Sequence, residues 1–222
     1  MVEWLWNLIF PPKCPGCNRY VEHRGQWCPS CLDRICRPHL LPLDGEMAAI
    51  FTGGIWALGI YEGELRNMLR QLKYQQKRAV VPGLHHLVAE GLKAIQLRRD
   101  TPFLSDFMVV PVPLHKKKLA QRGFNQSKVI FQQPLESMEA MVQDCLLRTR
   151  DTRPQYGLSG IQRRENLQQA FVLAEPQLVQ GQKVLLVDDI MTTGATMLEC
   201  AKILQKAGAT NMMGLVVASG RK

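Results

Sequence analysis

Two adjacent carboxylates followed by a threonine-rich turn are the residues of this 222-residue sequence best suited to chemistry. The apolar run at 184–187 predicts a strand that is buried on both faces of a parallel sheet. Asp188 and Asp189 follow this strand, at the carboxyl end where open α/β sheets bind their ligands. The turn at 192–196 offers hydroxyls and backbone N–H groups, and the helix after it favours an anion at its N-terminus. We therefore predict a phosphate site beside two acids that suit sugar hydroxyls.

This stretch closely resembles the loop with which type I phosphoribosyltransferases bind phosphoribosyl pyrophosphate (PRPP). The resemblance implies that Asp188 and Asp189 face the 2′ and 3′ hydroxyls of the ribose, with Mg²⁺ on the phosphates. It also implies that the turn wraps the 5′-phosphate through Thr192, Thr193, Gly194, Ala195 and Thr196. The alternative is a strand that ends in solvated acids before a helix capped by threonine.

A proline-containing turn and a basic segment follow a second predicted strand, at 107–112. From position 116 to 128 the sequence has five basic residues and no acidic one. A phosphoribosyltransferase needs backbone amides and cations around the departing pyrophosphate, so we predict a pyrophosphate loop and a mobile basic lid here. The residues assigned to these two features are Pro111, Val112, Pro113, Lys116, Lys117 and Arg122. A solvated basic loop is the alternative for any single lysine.

A second group of basic residues is spaced for one face of a helix predicted at 63–76. Its members are Arg66, Arg70, Lys73 and Lys77. Tyr74 lies beside this basic stripe, and leucines occupy the opposite face. Cations beside an aromatic ring suit single-stranded nucleic acid, in which bases stack and phosphates pair with the cations. We therefore predict a DNA-binding surface that also includes Lys118, although a solvated amphipathic helix is the commoner use of such a pattern.

Two C-x-x-C knuckles near the N-terminus predict a metal site. Each short knuckle lets two thiolates reach one ion, and four thiolates complete the tetrahedral shell of a structural Zn²⁺. The predicted ligands are Cys14, Cys17, Cys28 and Cys31. A pair of redox-active motifs is the alternative, but this segment is too short for the thioredoxin-like unit that such motifs need. We interpret Cys36 as a bystander, and Cys145 and Cys200 as small core residues.

Composition narrows the class of protein without deciding its function. The net charge of +9 and the pI near 9.4 suit a polyanionic partner or phosphate-bearing substrates, although a generic basic surface gives the same values. The apolar N-terminal residues lack the basic region and cleavage site of a signal peptide, and their spacing predicts a short helix. The longest later apolar stretch, 50–61, is too short and too rich in glycine to span a bilayer. We therefore predict a cytoplasmic protein with no membrane span.

The order of the predicted elements indicates an α/β fold with a mostly parallel sheet and flanking helices. We divide the chain into residues 1–46, which hold a short helix, a zinc-ribbon module and a connector at 37–46, and residues 47–222, which form a phosphoribosyltransferase-like domain. Strands are predicted at 55–61, 107–112, 184–187 and 211–218. Helices are predicted at 63–76, 82–98, 124–130, 135–146, 161–170 and 195–207.

Taken in order, six motifs resemble the ComF family over nearly the whole chain. They are the two cysteine knuckles, Leu72-Lys73-Tyr74, Pro111-Val-Pro113-Leu114, Arg122-Gly-Phe-Asn-Gln126, Thr152-x-x-Gln155 with Arg163-x-x-Asn166-Leu167, and the loop of acids and threonines. The resemblance implies a role in natural transformation, with PRPP, single-stranded DNA and competence proteins such as a DNA-translocating helicase as candidate partners. Two functions stay open. One is a DNA-uptake factor whose PRPP site is a ligand-responsive or vestigial pocket, and the other is an active phosphoribosyltransferase with an unidentified base or amine as acceptor.

Overall fold

The computed structural model describes residues 10–98, 104–150 and 170–220. Its strands are β1 (His39–Leu40), β2 (Ile55–Ile60), β3 (Phe107–Pro111), β4 (Met141–Val142), β5 (Leu146–Arg148), β6 (Phe171–Leu173), β7 (Lys183–Met191) and β8 (Asn211–Ser219). Its α-helices are α1 (Pro29–Ile35), α2 (Gly45–Ile50), α3 (Gly63–Gln75), α4 (Val81–Gln96), α5 (Lys116–Arg122), α6 (Gln126–Glu136) and α7 (Ala195–Lys206).

Six of these strands form the central sheet, in the order β1–β2–β8–β7–β3–β4. All neighbours in this sheet are parallel except β1, which pairs antiparallel with β2. The strands β5 and β6 form a separate antiparallel pair. The predicted α/β fold with a mostly parallel sheet is confirmed.

Side chains that alternate along a strand enter two different cores, one on each face of the sheet. In β7, Leu185 and Val187 join the core that α3, α4 and α6 cover, whereas Val184 and Leu186 join the core that α2 and α7 cover. The β5–β6 pair contributes to this second core. Because both faces are buried, the run at 184–187 is apolar at every position.

The cysteine-rich segment packs directly on α4. The indole N–H of the buried Trp27 donates to the carbonyl oxygen of Gly83 at 2.8 Å, and the backbone N–H of Trp27 donates to Nδ1 of His86 at 3.3 Å. Gly25 has a φ of +84°, and a Cβ atom at this position would lie 2.4 Å from Pro82, so this approach requires glycine. The predicted connector at 37–46 contains β1, which extends the central sheet. The segments on either side of the predicted boundary at residue 46 therefore share one core.

The prediction of a helix at 135–146 is wrong. The helix α6 ends at Glu136, and Glu139 has a left-handed φ of +61° that interrupts the helical path. Met141 and Val142 then pair in parallel with β3, and β5 follows. Apolar spacing in this segment is compatible with a helix, but pairing with a sheet edge distant in sequence overrides such local preferences.

Several predicted features lie outside the described residues. These are the N-terminal helix up to residue 9, the helix at 161–170 up to residue 169, and the motif residues Thr152, Gln155, Arg163, Asn166 and Leu167. In the part of the chain that the structure describes, no helix combines the length and the apolarity that crossing a bilayer requires.

Candidate functional site

Asp188 and Asp189, called the acid pair below, lie near the carboxyl end of β7. They belong to the strand and do not follow it, because β7 continues to Met191 and Asp188 is in register with Val216 of β8. Asp188 is 8% exposed and Asp189 is 3% exposed. Two neighbouring carboxylates with so little contact with water need protein partners to be stable.

The partners of Asp188 come from β7 itself and from α6. Its Oδ1 atom accepts hydrogen bonds from Ser127 Oγ at 2.8 Å and from the backbone N–H of Asp189 at 2.8 Å. Burial, and then the charge of Asp189, nevertheless raise the pKa of Asp188 to about 7. Asp188 can therefore hold or release a proton near neutral pH.

The partner of Asp189 is Lys73, in the last turn of α3. Lys73 Nζ donates to Asp189 Oδ2 at 3.3 Å, while Asp189 Oδ1 accepts from the backbone N–H of Ile190 at 3.0 Å. The charge of Asp189 raises the pKa of the Lys73 ammonium, which keeps it protonated. The lysine side chain is 29% exposed and that of Asp189 is 4% exposed, so a half-buried cation covers an acid that is almost out of water.

This contact corrects the predicted basic stripe. Arg66 and Arg70 are exposed on α3, but Lys73 is turned toward the acid pair. Lys77 lies beyond the end of α3, because Gln76 adopts a left-handed conformation that ends the helix. Helical spacing alone could not reveal the contact of Lys73, since Asp189 lies 116 positions further along the chain.

The threonine-rich turn leads from β7 into the first turn of α7. Gly194 has a φ of +80°, and a Cβ atom there would lie 2.8 Å from both Met191 and Met47, so glycine is required. The turn thus ends at the N-terminus of a helix of 12 residues, whose N–H groups attract anions. The strand–turn–helix arrangement is the predicted one, and phosphate binding by residues 192–196 stays a prediction.

The proline-containing segment runs beside the strand of the acid pair. Pro111 is in register with Val187, and the backbone N–H of Val112 donates to the Val187 carbonyl at 2.9 Å. The Val112 carbonyl accepts from Asn125 Nδ2 at 3.0 Å, and Asn125 Oδ1 accepts the backbone N–H of Ser127 at 3.1 Å. Asn125 therefore caps α6 and ties this segment to the helix that supplies Ser127 to the acid pair.

The predicted basic lid forms a helix in this structure. Its residues make up α5, which His115 caps by accepting the backbone N–H of Lys117 at 3.4 Å. Lys116 and Lys117 have exposed side chains, and Lys118 is half-buried. Contact of these lysines with pyrophosphate, and movement of α5 as a lid, stay predictions.

Arg122, at the end of α5, is close enough to Asp189 for their charges to interact. Its guanidinium donates to the buried side chain of Gln126. Burial lowers the pKa of Arg122, and the charge of Asp189 acts in the opposite direction. Among the described residues, Arg122 and Lys73 are thus two cations that the fold brings toward the acids.

One contact of the acid pair and one contact of the motif at 122–126 were not predicted. Ser127 is the second residue of α6, and a serine at the start of a helix carries no sequence signal of contact with a distant acid. The guanidinium of Arg78 lies 4.8 Å from the ring centre of Phe124, which is buried. The phenylalanine in the motif at 122–126 is unusual for a loop, but its partner could be identified only in the fold.

The four predicted metal ligands form one cluster. The Sγ atoms of Cys14, Cys17, Cys28 and Cys31 all lie within 4.8 Å of one another. Cys17 Sγ and Cys28 Sγ are 3.6 Å apart, far longer than the ~2.05 Å of a disulfide. Four thiolates in a tetrahedron at about 2.3 Å from a zinc ion lie roughly 3.8 Å apart, so the cluster could hold such an ion.

The remaining cysteines are set apart from this cluster by their surroundings. Burial raises the pKa of Cys36 to about 11, and Cys145 and Cys200 are buried in the core beside α7. The interpretation of Cys145 and Cys200 as core residues is confirmed.

Arg34 connects the cysteine cluster to α3, because its guanidinium lies 3.6 Å from Cys31 Sγ and 2.9 Å from a carboxylate oxygen of Glu64.

Comparison with known proteins identifies relatives over most of the chain. The phosphoribosyl transferase domain family matches residues 149–222, which contain the acid pair, the turn and α7. DNA utilization protein YhgH of Escherichia coli K12 is 36% identical over 203 residues, which cover 88% of this chain and 85% of that protein. Competence protein F of Haemophilus influenzae is 29% identical over 203 residues, which cover 89% of this chain and 80% of that protein.

A search of solved structures found the allosteric regulatory enzyme of purine biosynthesis. It matches with a TM-score of 0.41 and 17% sequence identity, over 67% of this chain and 30% of that chain.

The raised pKa of Asp188 predicts how stability depends on pH. A carboxyl whose pKa rises from 3.8 in the unfolded chain to about 7 in the fold contributes stability below pH 3.8, which is lost as the pH rises toward 7. Asp188→Asn keeps an oxygen for Ser127 and removes the charge. We expect it to raise the free energy of unfolding at pH 8 by about 1 kcal/mol or more, since one pKa unit corresponds to 1.36 kcal/mol.

Urea unfolding at pH 8 and pH 4 measures this effect, and the gain should vanish at the lower pH. Asp106→Asn is the control, because Asp106 is an exposed acid paired with Lys183. A variant Asp188→Asn that is less stable than the parent at pH 8 would contradict the prediction.

Proposed function

Because this chain belongs to the ComF family of competence and DNA utilization proteins, we propose that it handles single-stranded DNA in the cytoplasm and binds PRPP at the acid pair. One arrangement of residues supports the binding of PRPP. A buried pair of acids at the carboxyl end of β7 is followed by a turn of small and hydroxyl residues and the N-terminus of α7. This order of groups provides acceptors for two sugar hydroxyls next to donors for a phosphate.

The roles of the site residues follow from their chemistry. The carboxylates of the acid pair accept hydrogen bonds from the ribose hydroxyls, and the backbone N–H groups of the turn bind the 5′-phosphate. The segment from Pro111 to Pro113 lies beside the diphosphate on C1 of the ribose. Lys116, Lys117 and Arg122 supply positive charge to that diphosphate. Mg²⁺, when bound with PRPP, neutralises part of the phosphate charge.

Turnover of PRPP is the second candidate function. In such a reaction a nitrogen nucleophile forms a bond to C1 of the ribose and releases its proton to solvent. The bond from C1 to the diphosphate oxygen breaks, so that pyrophosphate leaves with the bonding electrons. Arg122 and Lys73 favour this candidate, because cations near the acid pair stabilise charge that develops on a leaving diphosphate. Measuring pyrophosphate release with a panel of bases and amines distinguishes turnover from binding alone.

The DNA-binding part of the proposal uses the exposed cations on α3 and just after it. Arg66 and Arg70 lie on the outer face of α3, with Lys77 and Tyr74 just after Lys73. Tyr74 is 70% exposed, which leaves its ring accessible for stacking with a base. The C-terminal end of α5 contacts the residue that ends α3, because Gln76 Nε2 donates to the carbonyl of Gln121 at 3.2 Å.

Zinc binding is the first prediction from this proposal. The purified protein should contain about one zinc ion per chain, held by four thiolates. Cys17→Ser should abolish this content, because it removes one ligand at an exposed position without leaving a cavity. Cys36→Ser should retain the zinc, and elemental analysis of both variants checks the assignment. Full zinc content in Cys17→Ser would show that the ion is bound elsewhere.

PRPP binding is the second prediction. At pH 8, above the pKa of Asp188, Asp188→Asn together with Asp189→Asn replaces two charged acceptors by amides of the same shape. We expect a loss of about 1.5–3 kcal/mol for each ribose hydrogen bond to a charged group. Calorimetry with Mg²⁺ and PRPP gives the affinity, and Asp106→Asn serves again as the control. If the double variant binds PRPP as tightly as the parent, the ribose does not contact these acids.

DNA binding is the third prediction. Arg66→Glu with Arg70→Glu should weaken binding of a fluorescent single-stranded oligonucleotide. The salt dependence should also flatten, by about 0.7 in log–log slope for each phosphate that the variant no longer neutralises. Lys183→Glu with Lys206→Glu is the matched control. It changes the net charge equally, but it lies at the start of β7 and the end of α7, away from the acid pair. Equal effects of the two double variants would mean that net charge alone controls binding.

A further inference from the structure

The contact between Lys73 and Asp189 has a consequence for any ligand that uses the acid pair. Asp189 Oδ1 is held by its own backbone neighbour, the N–H of Ile190. Asp189 Oδ2 accepts from Lys73 Nζ at 3.3 Å. The first contact is local and fixed by β7, whereas the second comes from a long and flexible side chain on another element. Each carboxylate oxygen can accept two hydrogen bonds, but the Asp189 side chain is only 4% exposed, so a sugar hydroxyl gains access to Oδ2 only if Lys73 Nζ moves aside.

We propose that Lys73 acts as a gate for the ribose position. Without ligand its ammonium neutralises Asp189, and a bound ribose displaces it. This inference rests on the proposed function, since it takes the ribose of PRPP as the ligand of the acid pair.

The displaced ammonium needs a new anionic partner. A protonated lysine that leaves a carboxylate at a half-buried position gives up a charge-assisted hydrogen bond, so binding is favourable only if the ligand supplies another anion. In PRPP the diphosphate is attached to C1, next to the 2′ hydroxyl. The diphosphate is therefore within reach of the Lys73 side chain after the ribose has displaced its ammonium from Asp189. Ribose 5-phosphate presents the same hydroxyls and the same 5′-phosphate without this diphosphate.

Lys73 thereby determines which sugar phosphates the site accepts. With PRPP the ammonium passes from one anion to another, and with ribose 5-phosphate it is left in the solvent. Lys73 is therefore a specificity-determining residue that selects for a group at C1, and it does so by making ligands without that group bind weakly.

The unmodified protein provides the first test. Acetic anhydride acetylates accessible amines, and mass spectrometry reports the rate for each lysine. Ribose 5-phosphate with Mg²⁺ should increase the acetylation rate of Lys73, because the released ammonium is exposed and no longer paired. PRPP with Mg²⁺ should decrease it. Lys93, which is exposed and pairs with Glu90 at 2.7 Å, is the internal reference and should react equally in all samples.

The substitution Lys73→Met provides the second test, with Lys93→Met as the matched control. Calorimetry should show that Lys73→Met binds ribose 5-phosphate more tightly than the parent does, and that its preference for PRPP over ribose 5-phosphate falls by about tenfold or more. Lys73→Arg should retain most of the preference, because it keeps the charge. Lys93→Met should leave both affinities unchanged.

These experiments distinguish a failure of the role of Lys73 from a failure of PRPP binding at the acid pair. If the parent binds neither ligand, the proposed function is wrong, and the gate is wrong with it. If the parent binds PRPP but both ligands protect Lys73 alike, or if Lys73→Met weakens both ligands by the same factor, the site stands and the gate is overturned. The labelling result decides the question even if Lys73→Met does not fold.

Discussion

Two neighbouring carboxylates that are almost completely shielded from water repel each other, and the local structure around them compensates for that repulsion. Asp188 is stabilised by Ser127 and by a backbone N–H, and Asp189 by Lys73. These partners come from α6 and α3, which pack on the same face of the sheet. The acid pair therefore depends on helices that the chain places 61 and 116 positions before it. The cost of burying charge makes the site sensitive to how these helices are positioned.

Several other contacts serve to hold those two helices. Asn125 caps α6 with its side-chain oxygen and donates its side-chain N–H to the Val112 carbonyl beside β7. These two contacts fix the position of Ser127. On the other side, α3 receives Arg34 from the cysteine cluster at its first turn and presents Lys73 to the acid pair at its last turn. The cysteine cluster and the acid pair are thus connected to opposite ends of one helix. This connection gives the cysteine module a structural relation to the site, in addition to any contact with DNA.

The family and the geometry address different parts of the function. Two relatives are named for DNA utilization and competence, whereas the acid pair and the turn concern the chemistry of a ligand site in this chain. The residues proposed for the two functions are neighbours in the last turn of α3. Lys73 faces inward to the acids there, while Tyr74 faces solvent beside it. Under the proposed function, a nucleic acid strand on the outer face and a sugar phosphate on the inner face contact the same turn of α3.

The sequence alone determined the features that depend on neighbouring residues. The apolar run of β7, the glycine before α7 and the spacing of the cysteine knuckles each reflect a local requirement for burial, backbone conformation or ligand reach, and the predicted elements at these positions were found. Only the tertiary structure decided which partners meet across long stretches of chain. Lys73 has the spacing of a surface residue, and Met141 has the spacing of a helix, yet one pairs with Asp189 and the other with β3. The physical reason is that burial of charge and strand pairing are settled between distant segments, and local periodicity carries no information about them.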